Sequence, residues 1–388
     1  MTLPRNRAVD RVNLHYGLQA FADGLGGVFV LAYLLRAGVS LTATLVVFAV
    51  LLAGRFVIRP AVLPFARRWG LRPALIVGAL LTAASFPLLT LVHGIGPPLA
   101  AYCLVSSFGG VFYWTCFHAY FAAVGDARDR GRQIGVREAL ATALGIVAPA
   151  MGGWALVAAG PRWTFSAVGL IHALAALPLI GAPDVAVAPA APGAFRAARA
   201  GLLIYLADGP FAAGNVYLWQ IALFLSLGES FSAYGGAVAL AALVGAGCGV
   251  VLGRHVDAGH GRRAVFIAYA MSAAVIVLRA LSVGSPLLAV TANAAGAVSN
   301  ALVMPAMMTA VYNLAKASPC PLRFNIVTEG AWDLSCGAAF LAAAALVWAG
   351  APLSLTILMA LPAAAALAAL LRRCYERMPA EGEAEPSD

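Results

Sequence analysis

Apolar residues fill this chain in long stretches, with polar positions confined to short breaks between them. A helix needs roughly 20 apolar residues to cross about 30 Å of hydrocarbon. The pattern predicts twelve such helices, at 13–35, 39–64, 73–93, 97–123, 134–157, 162–182, 200–227, 231–252, 264–283, 286–313, 324–349 and 352–371. Glycine and proline recur inside them, as in APAMGG (148–153) and ALVMPAMM (301–308). Lipid-embedded helices accept such breaks when neighbours re-satisfy the backbone. Small residues such as those of VGAGCGV (244–250) allow close helix packing. The fold class that follows is an all-α polytopic membrane protein.

Composition supports this picture. The chain is 62% hydrophobic and 11% charged, about half the charged share of a soluble domain. Arg5, Arg7 and Arg11 precede the first span as they would in a removable leader. The apolar part is too long for a leader and carries His15, Gln19 and Asp23.

Charge placement then sets orientation. With the amino terminus placed in the cytoplasm, nineteen of the 25 Lys and Arg residues fall in cytoplasmic loops and termini. Only Arg36 and Arg162 fall outside, and Arg55, Arg59, Arg137 and Arg279 lie within spans. The bias predicts an inner-membrane protein with both termini cytoplasmic. It also accounts for the net charge of +9, so no nucleic-acid partner is expected. The six cysteines form no C-x-x-C pair, which leaves no metal, cofactor or disulfide framework to expect.

The chain repeats. PDVAVAPAAPGAF (183–195) separates six spans from six. VREALATALG (136–145) aligns with VTEGAWDLSC (327–336), and WGLRPAL (69–75) with HGRRAVF (260–266), both at an offset of 191. Ala-Asp-Gly occurs at Asp23 and again at Asp208, each inside an apolar run. The repeat predicts two pseudo-symmetric six-helix bundles, 1–182 and 200–372, joined by a cytoplasmic linker, 183–199. A disordered tail, 373–388, is expected to follow.

GRHVDAGHGRR (253–263), between the eighth and ninth spans, resembles the signature loop of the major facilitator superfamily. Gly253, Asp257, Gly261, Arg262 and Arg263 match it, with one extra residue between Asp257 and Gly261. The corresponding first loop, VLPFARRWGLR (62–72), keeps Arg68, Gly70 and Arg72 but lacks the acid. APAMGG is similar to a Gly/Pro-rich stretch of exporters in that family. The resemblance implies two bundles rocking about a central cavity, with the first and seventh spans lining it. It also implies that these loops lie beside the starts of spans five and eleven. There Glu138, Glu329 and the loop charges would form a cytoplasmic gate, or simply sit solvated at the membrane edge.

Other polar residues inside the spans are candidate chemistry. Asp23, Asp208 and Asp333 are candidates for proton coupling or substrate contact, since buried ionisable groups in membranes are functional by default. Arg55 and Arg59, one turn apart, would bind an anion, pair with a carboxylate or snorkel to the surface. Trp114 and His118, one turn apart, line a cavity or form aromatic core packing with a satisfied histidine; Gln19, Asn215, Asn293, Asn300 and Trp332 are further cavity candidates, the asparagines alternatively bonding across helices.

No Walker loop, H-E-x-x-H or G-x-S-x-G is present. DARD (126–129) resembles a magnesium-chelating pair but has no second acidic loop beside it. The expectation is a monomeric secondary transporter in the bilayer rather than an enzyme, moving a small-molecule substrate against protons, with efflux favoured. The alternatives are uptake of an organic anion or siderophore, a non-transporting receptor and a membrane enzyme.

Overall fold

The computed structural model describes residues 7–124, 130–256 and 261–376, and within these the side chains of 122, 130–139, 249–256 and 261 are left aside. Among the described residues the secondary structure is helical throughout. Eleven helical runs are long and apolar enough to cross a membrane. The expected seventh span is helical from 199 to 226 but is built of three pieces. These are Arg199–Ala212, a π-turn at Ala213–Leu218, and Trp219–Ser226. Spans are numbered below in chain order, span 7 being this segment. The first span starts earlier than the apolar pattern suggests and runs Arg7–Arg36, with a 3-10 step at Gly27–Phe29.

The connections have a common device. Gly38, Gly94, Gly160, Gly228, Gly284 and Gly350 all hold positive φ. They lie in the six connections on the face opposite the 183–198 linker, so each of those turns uses the left-handed conformation that glycine adopts without Cβ strain. Trp163 and Trp348, 69% and 83% exposed, stand beside two of these turns, where an aromatic belt would lie.

Span 3 packs on spans 4 and 6, and span 1 on spans 5 and 6. Span 7 packs on spans 11 and 12, and span 10 on spans 8 and 9. The main contacts across the linker are span 5 with span 8 and span 2 with span 11. The span 5–span 8 crossing is apolar. A Cβ on Gly153 would overlap the Phe231 carbonyl, and one on Gly235 would overlap the Pro149 carbonyl. Missing side chains are thus what let these backbones meet. Phe29 meets Phe231 and Tyr234, and Phe224 meets Tyr234, edge-to-face around this crossing, while Phe224 and Phe231 stack, and Tyr234 Oη donates to the Val28 carbonyl at 3.1 Å.

The linker lies strapped across its face. The Arg72 amide donates to Asp184 Oδ1 at 3.0 Å, and the Arg72 guanidinium to the Ile180 and Ala182 carbonyls. Arg323, at the start of span 11, donates to the Ala188 and Pro189 carbonyls at 3.1 and 3.0 Å. The Asp184 carboxylate occupies the space a Cβ on Gly70 would take. A linker carboxylate thus lies against the first signature-like loop, whose own sequence lacks an acid.

Candidate functional site

Span 2 sets Arg55 and Arg59 one turn apart, and span 11 sets Glu329 and Asp333 one turn apart, so each pair shares a helix face. The two faces meet. Arg59, 1% exposed, donates to Glu329 Oε2 at 2.5 Å, to Thr115 Oγ1 at 2.6 Å and to Asp333 Oδ2. Thr115, on span 4, passes its own hydrogen to Glu329 Oε2 at 3.0 Å. Arg55 Nε lies 3.1 Å from Asp333 Oδ1. Two guanidiniums thus face two carboxylates in a nearly dry site, the arrangement under which buried charges persist. The network joins spans 2, 4 and 11 across the linker.

Aromatic residues continue the cluster. The Arg55 guanidinium stands 5.8 Å from the centroid of the Trp332 ring. The Trp332 indole N–H donates to Asp208 Oδ2 at 2.9 Å. Tyr217 packs against Trp332 and Phe340 at 6.3 and 5.8 Å between centroids. Among the described residues Asp208 has no cationic partner. The neighbouring Gly209 brings span 7 against span 11, because a Cβ there would sit 2.6 Å from the Cys336 amide nitrogen.

Asp23 has a different environment. Its side chain keeps 44% of its surface accessible although it lies near the middle of span 1. Its neighbour is His172 of span 6, with Nε2 3.4 Å from Asp23 Oδ1. That imidazole is fully buried and stacked on Phe86 at 4.9 Å and 16°. Gly24 packs on span 5, where a Cβ would sit 2.8 Å from Ala148 Cβ. The glycines of the repeated Ala-Asp-Gly thus pack on spans 5 and 11, equivalent places in the repeat. The carboxylates do not match: Asp23 turns to span 6 and Asp208 to span 11.

A third cluster surrounds the π-turn of span 7. Arg279, 6% exposed, donates to the Asn215 carbonyl and, at 2.7 Å, to Asn215 Oδ1. Its guanidinium lies 5.0 Å from the Trp219 centroid. Trp219 Nε1 donates to Asn293 Oδ1 at 3.0 Å, and the Asn293 amide donates to the Ala237 carbonyl at 3.1 Å. Asn215 and Asn293 therefore bond across helices.

The remaining candidates are scattered. Trp114 and His118 stack at 5.8 Å, and His118 approaches Tyr312 of span 10 at 6.4 Å. Gln19 is 2% exposed, and Asn300 is exposed on span 10. Of the gate residues, Glu329 lies about 12 Å into span 11 at 1.5 Å per residue, on Arg59 rather than on a loop. Arg262 and Arg263 are exposed, and Arg262 pairs with Glu376 at 3.4 Å. Asp257 lies outside the described residues, as do DARD and the side chain of Glu138, and the surroundings of Gly253 and Gly261 are left aside.

Three participants escape a reading of the sequence. Thr115 sits inside the aromatic run 112–120, where its hydroxyl has no pattern to mark it. Arg279 carries a signal, a lone cation deep in a span, but nothing local names its partners. His172 is a lone imidazole in an apolar run and looks like a packed core residue.

Comparison with known proteins extends the picture. The Major Facilitator Superfamily family model matches residues 14–318. No curated protein matches the sequence. The crystal structure of the human organic anion transporter MFSD10 (TETRAN) superposes with a TM-score of 0.68 at 16% identity, covering 95% of this chain and all of that one. An auto-inhibited POT family peptide transporter gives 0.63 at 13% identity, covering 98% of this chain and 99% of that one. The nucleoside transporter NupG gives 0.65 at 13%, covering 95% and 99%. The family match over most of the chain and the shared helical fold place this chain in the major facilitator superfamily, as a multi-pass membrane transporter rather than an enzyme.

Proposed function

We propose that the chain is a proton-coupled secondary transporter that moves a small organic solute by alternating access, with efflux of a cationic or amphipathic solute favoured. One observation carries the coupling. Four described carboxylates lie deep in the spans: Asp23, Asp208, Glu329 and Asp333. Glu329 and Asp333 are neutralised by Arg59 and Arg55. Asp208 faces an indole N–H and Asp23 an imidazole. An ionised acid at mid-bilayer costs at least about 2.5 kcal/mol. A proton, or a cationic solute in its place, relieves that cost at both positions.

The contacts between the halves, taken as residues 1–182 and 200–372, suit the rocking motion. An apolar crossing of spans 5 and 8 lies toward one face, at Gly153 and Phe231. The ionic contact of spans 2 and 11 lies toward the linker face, at Arg59 and Glu329. Two separate seams of different chemistry can open in turn. In this reading the protein sits in the inner membrane as a monomer with its termini and linker cytoplasmic.

A second reading, transport of an organic anion, is favoured by Arg55. Its guanidinium lies beside the half-buried Trp332 ring with its own side chain 16% accessible, and MFSD10, which shares the fold, is an organic anion transporter. Proteoliposomes separate the readings. A panel of radiolabelled organic cations and anions is offered with and without a pH gradient, to wild type and to Asp23→Asn and Asp208→Asn. Loss of pH-driven accumulation with surviving solute exchange supports coupling. Wild-type pH dependence in both variants makes the two carboxylates structural.

A further inference from the structure

The buried seam between spans 1 and 6 holds polar atoms that the central cluster does not use. His15, Gln19 and Asp23 follow one another at four-residue intervals along span 1 and share a face. His15 and Gln19 are 0% and 2% exposed. His15 Nδ1 lies 2.6 Å from the Ala175 carbonyl of span 6. A carbonyl only accepts, so Nδ1 carries the hydrogen and Nε2 of the neutral ring is a bare acceptor. Among the described residues nothing hydrogen-bonds to that Nε2, nor to Gln19 Oε1, nor to His172 Nδ1, while His172 Nε2 faces the Asp23 carboxylate at 3.4 Å. Three orphaned polar atoms therefore fall in one seam, over about 12 Å of helix between His15 and Asp23. Buried polar groups in folded proteins are almost always paired, and ordered water is the usual partner where protein supplies none.

We propose that this seam is a hydrated proton-access path, running from the linker end of spans 1 and 6 past His15, Gln19 and His172 to Asp23, separate from the central cluster. The proton assignment rests on the coupling reading above; the hydration does not. The chemistry is balanced within the seam. A proton entering from the linker-side bulk is relayed by seam water to His172 Nδ1 while Nε2 gives its own to the Asp23 carboxylate, so water and ring both end uncharged and Asp23 holds the proton. The groups facing the path are few. Span 1 contributes His15 and Asp23, span 6 His172, and span 4 Tyr113, whose ring lies 5.6 Å from His15. Span 3 contributes the Phe86 ring beneath His172. The described side chains of span 5 include no titratable group. Arg11 lies at the mouth, its guanidinium against Gly181.

Two measurements test the path without knowing the solute. Gln19→Cys and His15→Cys are exposed in membrane vesicles to a small charged methanethiosulfonate, with the unsubstituted chain as background. Leu34→Cys, in the dry apolar part of the same span, is the control. Reaction at position 19 or 15 at least tenfold faster than at 34 supports water in the seam; rates equal to the control at both positions overturn it. The second measurement follows the infrared carboxyl band of Asp23, identified by its loss in Asp23→Asn. Its hydrogen–deuterium exchange slows at least tenfold in Gln19→Leu and in His172→Phe if the seam is the route. Unchanged exchange in both variants refutes the path while leaving proton coupling standing. Fast thiol reaction with no Asp23 carboxyl band overturns the proton assignment and fails the coupling reading at Asp23, while hydration stands.

Discussion

Arg59→Met is the sharpest perturbation the central cluster allows. Methionine keeps much of the apolar stem but removes the charge. The change leaves Glu329 and Asp333, both almost wholly buried, with Arg55 as the one remaining cation of the network. Three charge-assisted contacts vanish together. Removing one partner of a buried ion network costs about 3–5 kcal/mol, because an uncompensated charge stays behind. Adding Glu329→Gln restores the balance, since Arg55 and Asp333 still match. The double variant then retains only the cost of lost hydrogen bonds and packing. A coupling of about 2–3 kcal/mol between the two sites is expected, at the upper end for residues in one network. Thermal unfolding of purified protein in detergent reads this. Arg59→Met should melt well below wild type, and the double variant between the two. Equal melting of the single and double variants, or an Arg59→Met midpoint at the wild-type value, would refute the electrostatic reasoning. The cluster would then be a packing site that happens to carry charges.

Gly209→Val should cost at least about 1–3 kcal/mol by overpacking, seen as lost folded yield, because the Cys336 backbone cannot retreat as a flexible side chain could. Gly236→Ala, on span 8 with open space around its Cβ, should express and melt as wild type. Asp184→Ala should loosen the linker at Arg72, raising proteolysis between 183 and 198 with no change at Arg323; an unchanged cleavage rate refutes the strap at that end. Arg279→Met should lower stability by roughly 1–3 kcal/mol through the unpaired Asn215 groups, read by melting, with a smaller effect from Asn293→Leu. A membrane-impermeant maleimide applied from outside should label Ile95→Cys and Gly160→Cys and spare Ala190→Cys; labelling at 190 would reverse the proposed orientation.

The sequence by itself determined that the chain is a helical membrane protein, because lipid leaves a backbone no other solution of this length and apolarity. Eleven runs follow the apolar stretches for that reason. Span 7 also follows its stretch, yet its π-turn was invisible, as was the bond that Arg279 of another helix makes to the Asn215 carbonyl within it. The Ala-Asp-Gly repeat was legible. What each aspartate faces was not legible, because that depends on which neighbour turns toward it: a histidine of span 6 in one case, a tryptophan of span 11 in the other. Arg55 and Arg59 announced themselves as costly in lipid. That they pair with carboxylates became visible only when Glu329 and Asp333, some 270 residues away in the chain, were brought onto the same face. The family resemblance put Glu329 beside a cytoplasmic loop; the fold puts it on Arg59, about 12 Å into span 11, a contact that no local pattern names. Periodicity and composition are local and survive in one dimension. The pairing of buried charge is a property of distance in space, and only the packed helices decide it.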